Sequence, residues 1–222
     1  MVLLRLRDPT HLQYATNHPR YLSAYLEKWT FSGFPRKRLP PLVYGLADLS
    51  FLVPIRLPGE IYSQPGIFGE KHGNQHGNLW SASMWEYWKD NDRTYHPHII
   101  MLSDHSASGR NGEILYGELI QLITAMRNRA HQRVMIENDD DNECEEPELR
   151  KPPEYYFKYE QRFPVSMVSC VAPQHARIYY ACMDGSDVII RQSPPYDFRN
   201  GQTALFNYIA RMLASIRLEE KE

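Results

Sequence analysis

The chain has 222 residues, 42% of them hydrophobic and 23% charged, with a net charge of −2. This balance excludes a disordered chain, suits one domain with a sizeable core, and leaves no apolar run near the ~20 residues that a membrane-spanning helix needs. The three cysteines, Cys144, Cys170 and Cys182, are odd in number, widely spaced and without a C-x-x-C pair; they read as reduced thiols of a cytoplasmic or nuclear protein.

The start, MVLLRLRDP, lacks the apolar region of a secretory signal, because Arg5, Arg7 and Asp8 break it. Asp8 and Pro9 open a first helix as N-cap and first-turn proline. HPRYLSAYLEKW follows, with Leu22, Tyr25, Leu26 and Trp29 at helical spacing. SGFPRKRLPP (32–41) breaks the pattern as a connector. Its PRKRLPPL reads as a basic connector that also resembles a nuclear-import patch or a polyproline ligand. LVYGLADLSFLVPIRL (42–57) suits either a strand or a buried helix, and residues 58–78, with five glycines, read as a long loop.

Ser83 and Glu86 stand at capping-box spacing and predict a short helix carrying Trp85 and Trp88. HIIML (98–102) predicts a buried strand and SDHSASGRNGE (103–113) a polar loop. ILYGELIQLITAMRNRA (114–130) predicts the strongest helix, with Leu115, Leu119, Leu122 and Met126 as its apolar stripe. ENDDDNECEEPE (137–148) holds eight acidic residues and no basic one, which leaves the rest of the chain at +6. It reads as a solvated, mobile loop. Three strands follow, FPVSMVSCVAP, HARIYYACM and DVIIRQS, the last two as a hairpin through Asp-Gly-Ser. A helix over 203–217 closes the chain. The expected fold is α+β: a mixed sheet of three to five strands flanked by helices. The expected organisation is one domain over 1–222, with 1–41 as an N-terminal helical segment and connector and 137–150 as the acidic loop.

The order helix, acidic loop, three strands, helix, with the residues YGELIQLITAM and FPVSMVSCVAPQHARIYYACMDGSDVIIRQSPPYDF, resembles the second half of a restriction-endonuclease-like region in fungal proteins, including the part that precedes the kinase domain in a fungal kinase family. It is similar also to ascomycete proteins with the pattern PV…S…HARI…DG…DF. The resemblance covers residues 114–217. It implies a nuclease-like core, in which carboxylates hold Mg²⁺ and an (Asp/Glu)-x-Lys strand positions water. That signature is absent here. Glu118 matches the family's helix glutamate, so the resemblance implies a degenerate member that binds rather than cuts.

Several residues are nevertheless candidates for chemistry. His72 and His76, in HGNQHGN, with His96 and His98, can supply imidazoles to a divalent metal, and Asp104 a carboxylate. The competing reading of HGNQHGN is a polar loop, since its glycines disfavour the helix that would align an H-x-x-x-H pair. Asp104, His105 and Glu118 are the candidates for acid–base work. Trp85, Trp88 and Arg177 are the candidates for binding, with core packing as the alternative for the tryptophans and an exposed strand position for the arginine. No phosphate loop and no G-x-S-x-G appears. Two functional readings result. One is a non-catalytic intracellular binding protein whose partner is a protein or nucleic acid, the latter suggested by the basic body. The other is a small-molecule enzyme, metal-dependent and accessory to fungal secondary metabolism, with a site near residues 72–118. Neither involves a membrane.

Overall fold

The computed structural model describes residues 18–31, 51–55, 72–73, 78–87, 96–132 and 154–215. The Asp8 helix start, the 32–41 connector, most of the glycine-rich loop, His76, Trp88 and the acidic run lie outside the described residues.

The fold is α+β. In chain order the elements are α1 (His18–Phe31), β1 (Leu52–Pro54), β2 (His72–Gly73), β3 (Leu79–Tyr87), β4 (Ile99–Ser108), α2 (Tyr116–Ala130), β5 (Val165–Ala172), β6 (His175–Asp184), β7 (Asp187–Gln192), β8 (Tyr196–Asp197) and α3 (Thr203–Leu213). Among the described residues, eight strands join one mixed sheet in the order β1-β3-β4-β5-β6-β7, with β2 also on β3 and β8 also on β6. Five of them, β3 to β7, have six residues or more. β4 and β5 run parallel, joined by a crossover through α2, and the other pairings are antiparallel. Parallel neighbours require such a crossover, and helix α2 provides it.

The central strands are covered on both faces. On one face α2 closes a core of Ala82, Met84, Ile99, Met101, Val165, Met167, Tyr179 and Ala181 with its own Leu122, Ala125 and Met126. On the other, α1 and α3 close a core of Trp85, Ile100, Leu102, Val168, Cys170 and Ala176 with Leu22, Leu26, Ile209 and Leu213. Helix α1 is therefore an integral layer. Its Trp29 stacks on Tyr25 at 5.8 Å and donates its indole N–H to Asn207 Oδ1 of α3 at 3.1 Å.

Three local expectations are corrected. Ser83–Glu86 is mid-strand in β3, not a helix start. There a two-residue alternation prevails: Trp80, Ala82, Met84 and Glu86 face α2, while Trp85 faces α1. The strand HIIML continues through Ser108 instead of ending in a loop, because α2 gives its polar Ser103 and His105 partners. The buried face of α2 is Gly117, Glu118, Gln121, Leu122, Ala125, Met126, Asn128 and Arg129, so the stripe is rotated from the apolar one and Ile123 stays exposed. The β6–β7 hairpin forms as expected, closed by Gly185–Ser186. Gly185 has φ +61°, which suits the first central position of a two-residue type II′ turn.

Candidate functional site

Strand register sets out the polar groups beneath α2. Ser103 of β4 pairs with Ser169 of β5, and Ser169 with Arg177 of β6. These positions share the face of Met101, Met167 and Tyr179, so their side chains point at α2. Glu118, one turn into that helix, points back at them.

Glu118 is fully buried and its carboxylate is saturated. Oε1 accepts from Ser169 Oγ at 2.6 Å and Arg177 Nε at 2.9 Å. Oε2 accepts from Tyr179 Oη at 2.9 Å, from the Leu115 N–H at 2.8 Å and from Arg177 Nη2. The Leu115 bond is half of a capping box, since leucine has no side-chain acceptor to return. Arg177, also fully buried, spends Nη1 on the carbonyls of Arg110 and Glu113, each at 2.8 Å. Burial pushes the Glu118 carboxyl up, but the Arg177 guanidinium, His105 and the Ser169 hydroxyl outweigh it and hold the group below its ordinary value. Burial, and then the charge of Glu118, push the Tyr179 phenol well above its own.

A second group adjoins the first. Ser103 Oγ donates to Gln121 Oε1 and lies 2.7 Å from His105 Nε2. Gln121, Ser103 and His105 thus form one buried run of hydrogen bonds. Burial lowers His105 to about 4, against a raising effect of Glu118, so the ring is neutral at pH 7. His105 is packed so closely that a Cβ on Gly117 would stand 2.8 Å from its Nδ1 and 2.9 Å from Trp80. A small cleft of ≈ 310 Å³, open solvent included, runs past this ring between Asn78, Trp80, Leu115 and Tyr116.

The far end of α2 holds another buried ion pair. Arg129 Nη2 lies 2.7 Å from Glu86 Oε2, but off the line of a hydrogen bond. Nη1 donates to Gln132 Oε1 at 2.6 Å, Nη2 also meets the His96 carbonyl, and the guanidinium lies 4.8 Å from the Phe157 ring centroid.

Of the residues singled out from the sequence, Glu118 and Arg177 meet each other in the core, so the arginine is not at an exposed position. Asp104 and His105 are consecutive in β4 and face opposite sides of the sheet. Asp104 accepts from Ser81 Oγ at 2.6 Å on the α1 side. His96 lies against Tyr87, with ring centroids 5.4 Å apart, and His98 is half-buried just before β4. His72 lies in β2, opposite Trp80, so HGNQHGN begins in a strand rather than wholly in a loop. Trp85 is buried in the α1-side core against Phe31 at 4.3 Å. Among the described residues no group of three or more His, Cys, Asp or Glu side chains can hold a metal ion. Sequence reading missed Ser103, Gln121, Ser169, Tyr179, Glu86 and Arg129. The signal available was polar residues spaced two apart within otherwise apolar strands, as in Ser103/His105 and Arg177/Tyr179.

No protein-family model, curated protein or solved structure matches the chain. Among the described residues no helix is long and apolar enough to cross a membrane.

Proposed function

We propose that the chain is a non-catalytic binding protein, built on a degenerate nuclease-like core, whose polar cluster specifies the fold rather than a reaction. The saturation of Glu118 carries this reading. A metal ligand or general base needs a lone pair that a substrate, water or cation can reach. Here five donors take up the carboxylate, and the guanidinium of Arg177 stands where a divalent cation would have to sit. Free thiols at Cys170 and Cys182 support a cytoplasmic or nuclear setting. Exposed Tyr180, Val188 and Ile189 at the β6–β7 end favour a protein as partner.

The cleft beside His105 is the one observation that favours the small-molecule reading. Its enclosed volume is only ≈ 60 Å³, well short of the ~300 Å³ at which ligand pockets begin. The test is incubation of the full chain with single- and double-stranded DNA and RNA at low ionic strength, with Mg²⁺ or Mn²⁺. The proposal expects no cleavage. Salt-dependent retention without cleavage would make nucleic acid the partner. Cleavage that disappears in Glu118→Gln or Asp104→Asn would overturn the proposal.

A further inference from the structure

The two edges of the sheet are built differently. At one edge the chain offers β1, of three residues and ending in Pro54, and β2, of two. Short strands and proline blunt an edge against further pairing. The other edge is β7, Asp-Val-Ile-Ile-Arg-Gln, six residues with no proline, lysine or bulge, and no strand beyond it among the described residues.

The hydrogen-bond phase of β7 follows from one bond. The Ser193 N–H donates to the Ile178 carbonyl at 2.9 Å. In an antiparallel ladder alternate residues bond inward, so Asp187, Ile189 and Arg191 bond to β6. The N–H and C=O groups of Val188 and Ile190 therefore point out of the edge. Asp187, Ile189 and Arg191 share one face, beside Tyr180 and Cys182. Ile189 is 43% exposed and Tyr180 44%. Asp187 and Arg191 are exposed, and neither makes an ion pair or side-chain hydrogen bond among the described residues.

We infer that β7 pairs antiparallel with β7 of a second copy of this chain, about a two-fold axis at Ile189. The sequence is charge-complementary to itself about that residue. Asp187 of each copy falls opposite Arg191 of the other, Ile189 meets Ile189, and Val188 and Ile190 exchange the outward hydrogen bonds. Both charge pairs and the apolar contact lie on one face, as cross-strand neighbours must. An isologous contact of this kind closes at two copies.

The test is sedimentation equilibrium of the full chain over a concentration series, for wild type, Asp187→Arg, Arg191→Asp and the double exchange Asp187→Arg/Arg191→Asp. Both changed positions are exposed, and circular dichroism verifies that each of the three variants is folded. The expected result is a wild-type dimer, weakened roughly tenfold or more in each single variant, where like charges face across the axis, and restored in the double exchange. A wild-type chain that stays monomeric throughout overturns the inference. So does a dimer whose affinity ignores the single changes, or one that the double exchange fails to restore.

Discussion

Helix α2 carries a buried ion pair at each end, and the two are not equivalent. At its N-terminal end Glu118 meets Arg177; at its C-terminal end Arg129 meets Glu86. Both follow the helix dipole, an acid in the first turn and a base in the last. At the Glu118 end every carboxylate direction is taken, and the Arg177 donors go to the carboxylate and to two carbonyls. At the Arg129 end Nε has no acceptor, Glu86 Oε2 is off the hydrogen-bond line, and the nearby Asn128 Nδ2 is also unmatched. The difference lies in the strands below. Two adjacent strands, β5 and β6, place Ser169, Arg177 and Tyr179 under Glu118, whereas Glu86 reaches Arg129 from β3 alone. A buried pair contributes to a unique structure when neighbouring hydrogen bonds complete it.

The largest predicted effect comes from breaking the complete pair. Arg177→Met or Glu118→Leu alone leaves an unpartnered buried charge and costs about 3–5 kcal/mol in urea unfolding. The double variant costs less than the sum of the two, because neither charge is then left behind. Additive costs would show that the two groups do not act as a unit.

The next effect sharpens the comparison through pH. The folded-state value of His105 is about 4, below the ordinary 6.5. Between those values the unfolded chain binds the proton and the folded one does not. Stability is therefore full above pH 6.5 and falls as the pH drops towards 4, by on the order of 3 kcal/mol. Glu118, also lowered, adds its loss only below its ordinary 4.5. His105→Gln should flatten the upper part of the profile and leave the lower part. Thermal melts across this range would read both, and an unchanged profile in the variant would remove His105 as the cause.

The smallest effect lies at the other end of α2. Glu86→Gln, which keeps the size and can accept from Arg129, is expected to cost about 1–2 kcal/mol, less than either change at the Glu118 end. A cost equal to that of Glu118→Leu would erase the distinction between the pairs.

The same contrast explains what the sequence reveals. The three C-terminal strands, their hairpin and both C-terminal helices are legible, because apolar periodicity and the Asp-Gly-Ser turn agree with each other. β3 is misread because a Ser-x-x-Glu spacing mimics a helix cap, while the competing alternation is masked by Ser81 and Ser83 on the face of Trp85 and by Glu86 on the face of Ala82 and Met84. Glu118 and Arg177 each stand out in the sequence, but their meeting depends on β5–β6 register, which no local pattern shows. Position in a helix also predicts exposure for Glu118; tertiary partners from two strands reverse it.

The central claim, that Glu118 is a structural carboxylate and not a cation ligand, is tested most directly by the urea midpoint of wild type and Glu118→Gln with and without Mn²⁺. The account predicts a much lower midpoint in the variant and no effect of Mn²⁺ on either protein. A Mn²⁺-dependent rise in the wild type that Glu118→Gln abolishes, with little change in midpoint otherwise, would contradict it.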